Sequence, residues 1–286
     1  MSDELSICTF ALPLAGKSAP LADLHALLGD LRGVDVIALG EMNHFVHEKT
    51  DFRIWLLRAL ALHGIDAIGE ELGWSDGMRV AEFLGGDSNA LGRIATLGYT
   101  GDRRSDRDHL PTGLLREAIE QYPTALFRAE QERGYRALAS STLAGSRYFG
   151  FDVEADPGSA YVDIERALAP LRGSVSVREL LATLVRVPGE SLAAERNRLD
   201  RTLRALSLCE PDLPVDLRAT LRDRLVTLRE SVTYFSVANP APDYVALGSA
   251  MALREELMKH HVVRIRSASG DRGRLVLMGH ALHLVK

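Results

Sequence analysis

Between residues 39 and 48 the chain reads LGEMNHFVHE, with Glu41 and His44 three positions apart and His47 and Glu48 just behind. An imidazole takes a proton from water near neutral pH when a carboxylate orients its other nitrogen. His44 is therefore a candidate general base, with Glu41 or Glu71 as the candidate orienting acid. Glu70 and Glu71 close a second apolar run. Neighbours on a strand point to opposite faces, so only one of these two is expected to face a shared cleft. A partly buried acid there, or one beside another acid, would be a proton donor. Arg53, nine residues after His44, could pair with Glu71 or stabilise a developing oxyanion. His280 and His283 follow the last apolar run and allow two chemistries. With nearby carboxylates they could bind zinc or manganese, or they could hold substrate without metal. Acting together, they need a turn or helix start after Gly279.

Other residues carry weaker expectations. Trp74 could line an apolar substrate pocket, whereas Trp55 suits a core. Asp152 fits either the cleft or a loop cap. His47 and Glu48 fit the first turn of a helix, where Glu48 gains from the N-terminal dipole. His260 and His261 are expected at a helix end as surface or packing residues. No G-x-S-x-G elbow is present, and neither Cys8 nor Cys209 has a catalytic context.

The elements that must position these groups follow from periodicity. PLADLHALLGDL has helical spacing and ends near Gly33, and VDVIALG reads as a buried strand. KTDFRIWLLRALALHG is a helix closing on Gly64, and IDAIGEEL is a second strand. Strand, helix, strand with short links indicates a βαβ unit and a parallel sheet. SRYFGFDVE is a third strand and GRLVLMG a fourth, while LREELMKHHVVRI is a helix. YTGDRRSDRDHLP is a charged, solvated loop. The expected class is α/β: a mostly parallel central sheet flanked by helices, with a large helical insertion at 160–235. All four strands run into polar groups: Glu41/His44, Glu70/Glu71, Asp152/Glu154 and His280/His283. Ligand crevices of open parallel sheets lie at the carboxyl ends of strands, so these groups are expected to share one cleft.

Composition excludes several other functions. A formal charge of −5 gives no electrostatic reason to expect nucleic acid or an anionic membrane. Two distant cysteines make neither a disulfide scaffold nor a cysteine zinc site. No apolar run is long enough to span a bilayer, and the acidic N-terminus lacks the features of a secretory leader. A cytoplasmic setting is expected.

The ordered set of motifs resembles the erythromycin esterase family. LGEMNHFVHEKTDFRIWLLRALALHGIDAIGEELGWSDG is similar to that family's opening, with its G-E-x-x-H signature, arginine-bearing helix and strand ending in glutamate. YFGFDVE resembles its G-F-D element, LREELMKHH its R-[DE]-x-x-M helix, and LVLMGHALHLVK its H-x-x-H strand end. The resemblance runs from about residue 20 to the end, with 160–235 alike only in helical character. It implies one erythromycin esterase-like domain over 1–286 and hydrolysis of an ester or lactone of a small molecule, with neither metal nor other cofactor. It implies a water-activating role for His44. Glu41, Arg53, Glu71, His280 and His283 would be the other polar residues of the cleft, with Glu71 rather than Glu70 facing it. Phe45 stands where the family usually has glycine, and Ala281 where it commonly has asparagine. Family members also continue beyond this last strand, so macrolide hydrolysis is not carried over. The remaining alternatives are a metal-dependent hydrolase using Glu41, His44, Glu71, His280 and His283, and a non-hydrolytic biosynthetic or binding protein.

Overall fold

The computed structural model describes residues 31, 33–41, 47–61, 64–94, 124–141, 143, 147–154, 157–239, 243–268 and 274–284. The expected helix at 20–33 and the charged loop at 99–111 lie outside this set, apart from the end of that helix. Four parallel strands form the sheet: β1 (Val36–Glu41), β2 (Ala67–Gly73), β3 (Arg147–Asp152) and β4 (Leu275–His280). Their order is β1-β4-β2-β3. All four expected strands are present, and the class is α/β as the periodicity indicated. The first βαβ unit differs in one respect. The helix α1 (His47–Ala61) crosses from β1 to β2, but β4 lies between those strands. Leu275 pairs with both Val36 and Ala67. Gly64, at φ +82°, supplies the left-handed turn after α1.

A parallel sheet with apolar residues on both faces must be covered on both. Alternation along β4 shows the two layers. Val276 and Met278 join Ile68, Tyr148, Leu57 and Leu60 under α1 and α3 (Thr124–Ala139). Leu275 and Leu277 join Phe149, Phe151 and Met258 under α8 (Tyr244–Ala268). Between β3 and α8 come four helices: α4 (Pro157–Leu168), α5 (Val175–Leu184), α6 (Leu192–Cys209) and α7 (Val215–Ala238). They fill the stretch expected to be helical and bury a cluster of their own, including Ile164, Leu199 and Leu225. Val153 packs with Tyr234 and Phe235, joining that helical group to the sheet. Among the described residues no helix is long and apolar enough to cross a membrane.

The end of β2 sets the geometry of the site. Its register with β3 shifts between Glu70 and Gly73, and α2 (Trp74–Leu84) begins on the next residue. A helix starting without a loop leaves its first amides needing acceptors. Glu154 supplies one, accepting the Ser75 N–H at 2.8 Å, while its own N–H donates to Ser231 Oγ of α7 at 2.7 Å. Helix and sheet then meet backbone to backbone. A Cβ on Gly77 would fall 1.7 Å from Gly150 N, and one on Gly150 would fall 2.1 Å from Gly73 O. Glycine at 77 lets α2 lie against β3, and glycine at 150 lets β3 close on the end of β2 just before α2 starts. Overpacked cores commonly lose about 1–3 kcal/mol, and here the obstacle is backbone. Gly77→Ala is expected to lose at least about 3 kcal/mol in urea unfolding, whereas Gly173→Ala, with open space around it, changes stability little.

Candidate active site

A cavity of about 110 Å3 lies at the carboxyl ends of the strands, bordered by Glu41, Glu70, Glu71 and Asp152, with Arg53 on its α1 wall. One water needs about 10–15 Å3 by the same kind of measure, so an ester group and a water fit together. Residues from β1, β2 and β3 thus meet at one place, as the strand-end rule requires. Glu70 and Glu71 both line it, although alternation along β2 was expected to admit only one. The cavity sits past the sheet edge, where β2 breaks register, and can be reached from either face.

On the α8 face, Glu71 is almost fully occupied by protein. Its Oε2 accepts the backbone N–H of His280 at 2.7 Å, and its Oε1 accepts from Arg254 Nη2 at 2.9 Å. His283 Nε2 stands 3.3 Å from the same Oε1. Arg254 also donates through Nε to Asp152 Oδ1 at 2.8 Å and through Nη2 to Oδ2. Desolvation opposes ionisation of Glu71, but His283, Arg254 and the His280 amide outweigh it and hold the carboxyl well below its usual range. Arg254, rather than Arg53, is the partner of Glu71. Arg53 instead approaches Glu41, Nη2 to Oε2, at 3.2 Å.

The short helix α9 (Ala281–Leu284) begins directly after His280, supplying the helix start that joint action of the histidines demanded. The two rings lie 5.8 Å apart. Neither lines the cavity. His283 is held between Glu71 and Glu255, the latter through Nδ1. Carboxylates only accept, so a pair of them favours the imidazolium, in which both ring nitrogens donate. The Glu71 contact raises the His283 pKa against the pull of burial. A ring so protonated is ill suited to take a proton from water.

Trp74 does not face the cavity. It is 5% exposed, packed with Phe149, Phe151 and Met258, edge-on to His261 and under the Arg264 guanidinium. Trp55 packs at the margin of the α1 core, as expected. His261 does not end a helix, because α8 continues to Ala268. The ring is fully buried, with Nδ1 3.0 Å from Phe151 O and Nε2 2.9 Å from Glu230. His47 opens α1 and meets Glu130 at 3.2 Å, on the rim of the cavity. His44 and Phe45 lie outside the described residues. Among the described residues, no three His, Cys, Asp or Glu side chains are grouped to hold a metal ion.

Two groups escaped the reading of residue types. Arg254 was visible only within the R-E-E-L-M helix. Tyr135 and Tyr148, which line the cavity, carried no signal beyond aromatic residues in apolar runs. Glu154, expected in the cleft with Asp152, instead lies off the cavity lining and receives the Ser75 amide. Burial foremost, with help from Asp76, raises its carboxyl to about 7, although the Ser75 contact pulls the other way.

No protein-family model and no curated protein matches the chain. Among solved structures it is similar to a mutant erythromycin esterase, EreC, in its open conformation, at 18% identity and a TM-score of 0.51. The match covers 93% of this chain and 65% of that one. It is also similar to a succinoglycan biosynthesis protein, at 16% identity and a TM-score of 0.53, over 92% of this chain and 61% of the other. The chain thus spans less than two thirds of either protein. At these identities the likeness is one of fold.

Removing one partner from a buried ion cluster strands the others, typically at about 3–5 kcal/mol. Arg254→Ala is expected to lose that much at neutral pH in chemical denaturation. Glu71 has a depressed folded pKa, so its contribution is present above its unfolded value of about 4.5 and is lost as pH falls. The deficit of the variant should therefore shrink below about pH 4. A deficit that stays constant with pH would contradict this ionic account.

Proposed function

We propose that this protein hydrolyses an ester or lactone of a small molecule without a metal, using a water activated by His44. The observation that carries this reading is the convergence of Glu41, Glu71 and Asp152, from three strand ends, on one cavity walled by Arg53. The fold likeness to an erythromycin esterase supports it. His44 stands three residues after Glu41 in the sequence. His283, held between two carboxylates that favour its protonated form, is ill suited to serve as the base instead.

In this mechanism His44 takes a proton from water as the water oxygen adds to the carbonyl carbon. Glu41 orients the imidazole and stabilises its positive charge. Arg53, beside Glu41, faces the oxygen on which negative charge develops. Glu71 keeps its charge throughout and fixes Arg254 and the start of α9, placing the His280–His283 pair behind the reacting group. A non-hydrolytic biosynthetic role is the second reading, prompted by the likeness to the succinoglycan biosynthesis protein. A soluble, cytoplasmic enzyme with no nucleic-acid or membrane partner fits the composition.

The test is turnover on a panel of aryl esters, alkyl esters and lactones. His44→Ala should lower kcat by roughly 100-fold or more, the usual scale of lost general-base catalysis. Parental turnover by that variant overturns the assignment, and no turnover of any panel member by the parent favours the second reading. Chelator-treated protein should keep its activity and contain less than stoichiometric metal. Stoichiometric zinc or manganese, needed for turnover, would overturn the metal-free mechanism.

A further inference from the structure

On the α1/α3 side of the cavity stands a carboxyl group that the hydrolytic steps above leave unused. Glu70 projects from β2 toward α3, opposite to Glu71. Two phenols converge on a single one of its oxygens. Tyr135 of α3 donates to Oε2 at 2.8 Å, and Tyr148 of β3 donates to the same atom at 2.5 Å. The two rings meet edge to face, 6.1 Å apart, and both lie in the packed core. Oε1 takes no hydrogen bond from a described residue, and Glu70 borders the cavity.

This arrangement directs a proton. A carbonyl oxygen has two lone pairs, and two phenol donors fill both on Oε2. A proton on the carboxyl group must therefore sit on Oε1, the oxygen left free. The surrounding charges are few: Arg53 from α1, Glu41 from β1, and Glu130 of α3 on the same cavity. Burial dominates them and raises the Glu70 pKa, against the opposing effects of both phenols and Arg53. The tyrosines themselves stay protonated, their pKa values raised by burial and by Glu70. They remain donors whatever the state of the acid. Glu71, about 3.8 Å away along the backbone, differs in every respect: its carboxyl is held well below its usual range by Arg254, His283 and the His280 amide. Carboxyl groups whose surroundings separate their proton affinities are how one site holds both a fixed charge and an acid.

We propose that Glu70 is the general acid of the cleavage, delivering its Oε1 proton to the departing alcohol oxygen. This rests on the hydrolase reading. Water adds to the carbonyl carbon while His44 takes its proton. The carbon–oxygen bond to the alcohol then breaks, and its electron pair goes to the leaving oxygen, which takes the proton of Glu70. The acid product departs, and the imidazolium returns its proton to Glu70 directly or through water, restoring both groups. Ester and water are consumed, and acid and alcohol are formed.

A general acid matters only when the leaving group is a poor one. The test compares p-nitrophenyl butyrate, whose phenolate leaves unaided, with ethyl butyrate, whose alkoxide does not. Glu70→Gln should lower kcat on the ethyl ester by roughly 100-fold or more and leave the p-nitrophenyl ester within about 3-fold. Tyr148→Phe removes a donor that favours the ionised form, so the alkaline limb of the ethyl-ester profile should move to higher pH. Infrared difference spectra of the parent minus Glu70→Gln should show a protonated-carboxyl stretch at about pH 6, above the ordinary carboxylate range, whether or not substrate is turned over. Equal losses on the two esters, an unmoved limb, or absence of the carboxyl band each overturns the role of Glu70. If His44→Ala is inactive in the same assays, the hydrolase reading survives that outcome. If the parent cleaves neither these esters nor any member of the ester and lactone panel, the hydrolase reading fails and the proposal fails with it.

Discussion

The guanidinium of Arg254 reaches Asp152 at the end of β3 and Glu71 at the end of β2. Two carboxylates brought together by neighbouring parallel strands would repel each other in a partly dehydrated pocket. A cation from α8 removes that obstacle, which ties the long helix to the sheet. Glu71 in turn accepts the His280 amide and so sets where β4 stops and α9 starts. The shape of the cavity therefore follows from an electrostatic demand made by the sheet itself. Apolar packing on both faces positions the strands, but it would do so equally well with no acid at their ends.

Around this fixed centre the acids take different characters from their neighbours alone. Glu71 is ringed by cations and an amide, and stays charged. Glu70, one residue earlier, meets phenols and apolar walls, and its proton is held more tightly. Glu154 caps α2 from a fully buried place and is raised for the same reason. Glu41 has Arg53 beside it. One residue type thereby takes several electrostatic characters within a single small cavity and its surroundings.

Much of this was legible in the chain. Short β-branched runs ending in glycine or acid located all four strands, because a strand buried on both faces must be apolar and must stop where polarity begins. The same endings located Glu41, Glu71, Asp152 and the His280–His283 turn. Partnership was not legible. Arg254 is one of many arginines on helical faces, and nothing local in its segment says that it spans 183 positions to Glu71. Trp74 was misjudged because aromatic residues suit a core and a pocket equally, and the abrupt start of α2 turns it into the core. The face alternation of β2 was read correctly, but the cavity beyond its broken register admits both neighbours. His261 was taken for a helix terminus because its charged surroundings look like one. Only tertiary contact with Glu230 and Phe151 reveals an interior site.

The position of β4 has a consequence for how the chain reaches this state. It is the last of the described strands in sequence, yet it lies between β1 and β2, pairing with both. Until residues 275–280 leave the ribosome, the first two strands have no shared neighbour and present open edges. Pairings of such long sequence separation form slowly, and unpaired edges invite association with other chains. Assembly of the four-stranded sheet thus waits for these residues, and the cavity cannot exist before it. The nascent protein carries its acids at strand ends that have not yet met, and they are gathered only when β4 is inserted.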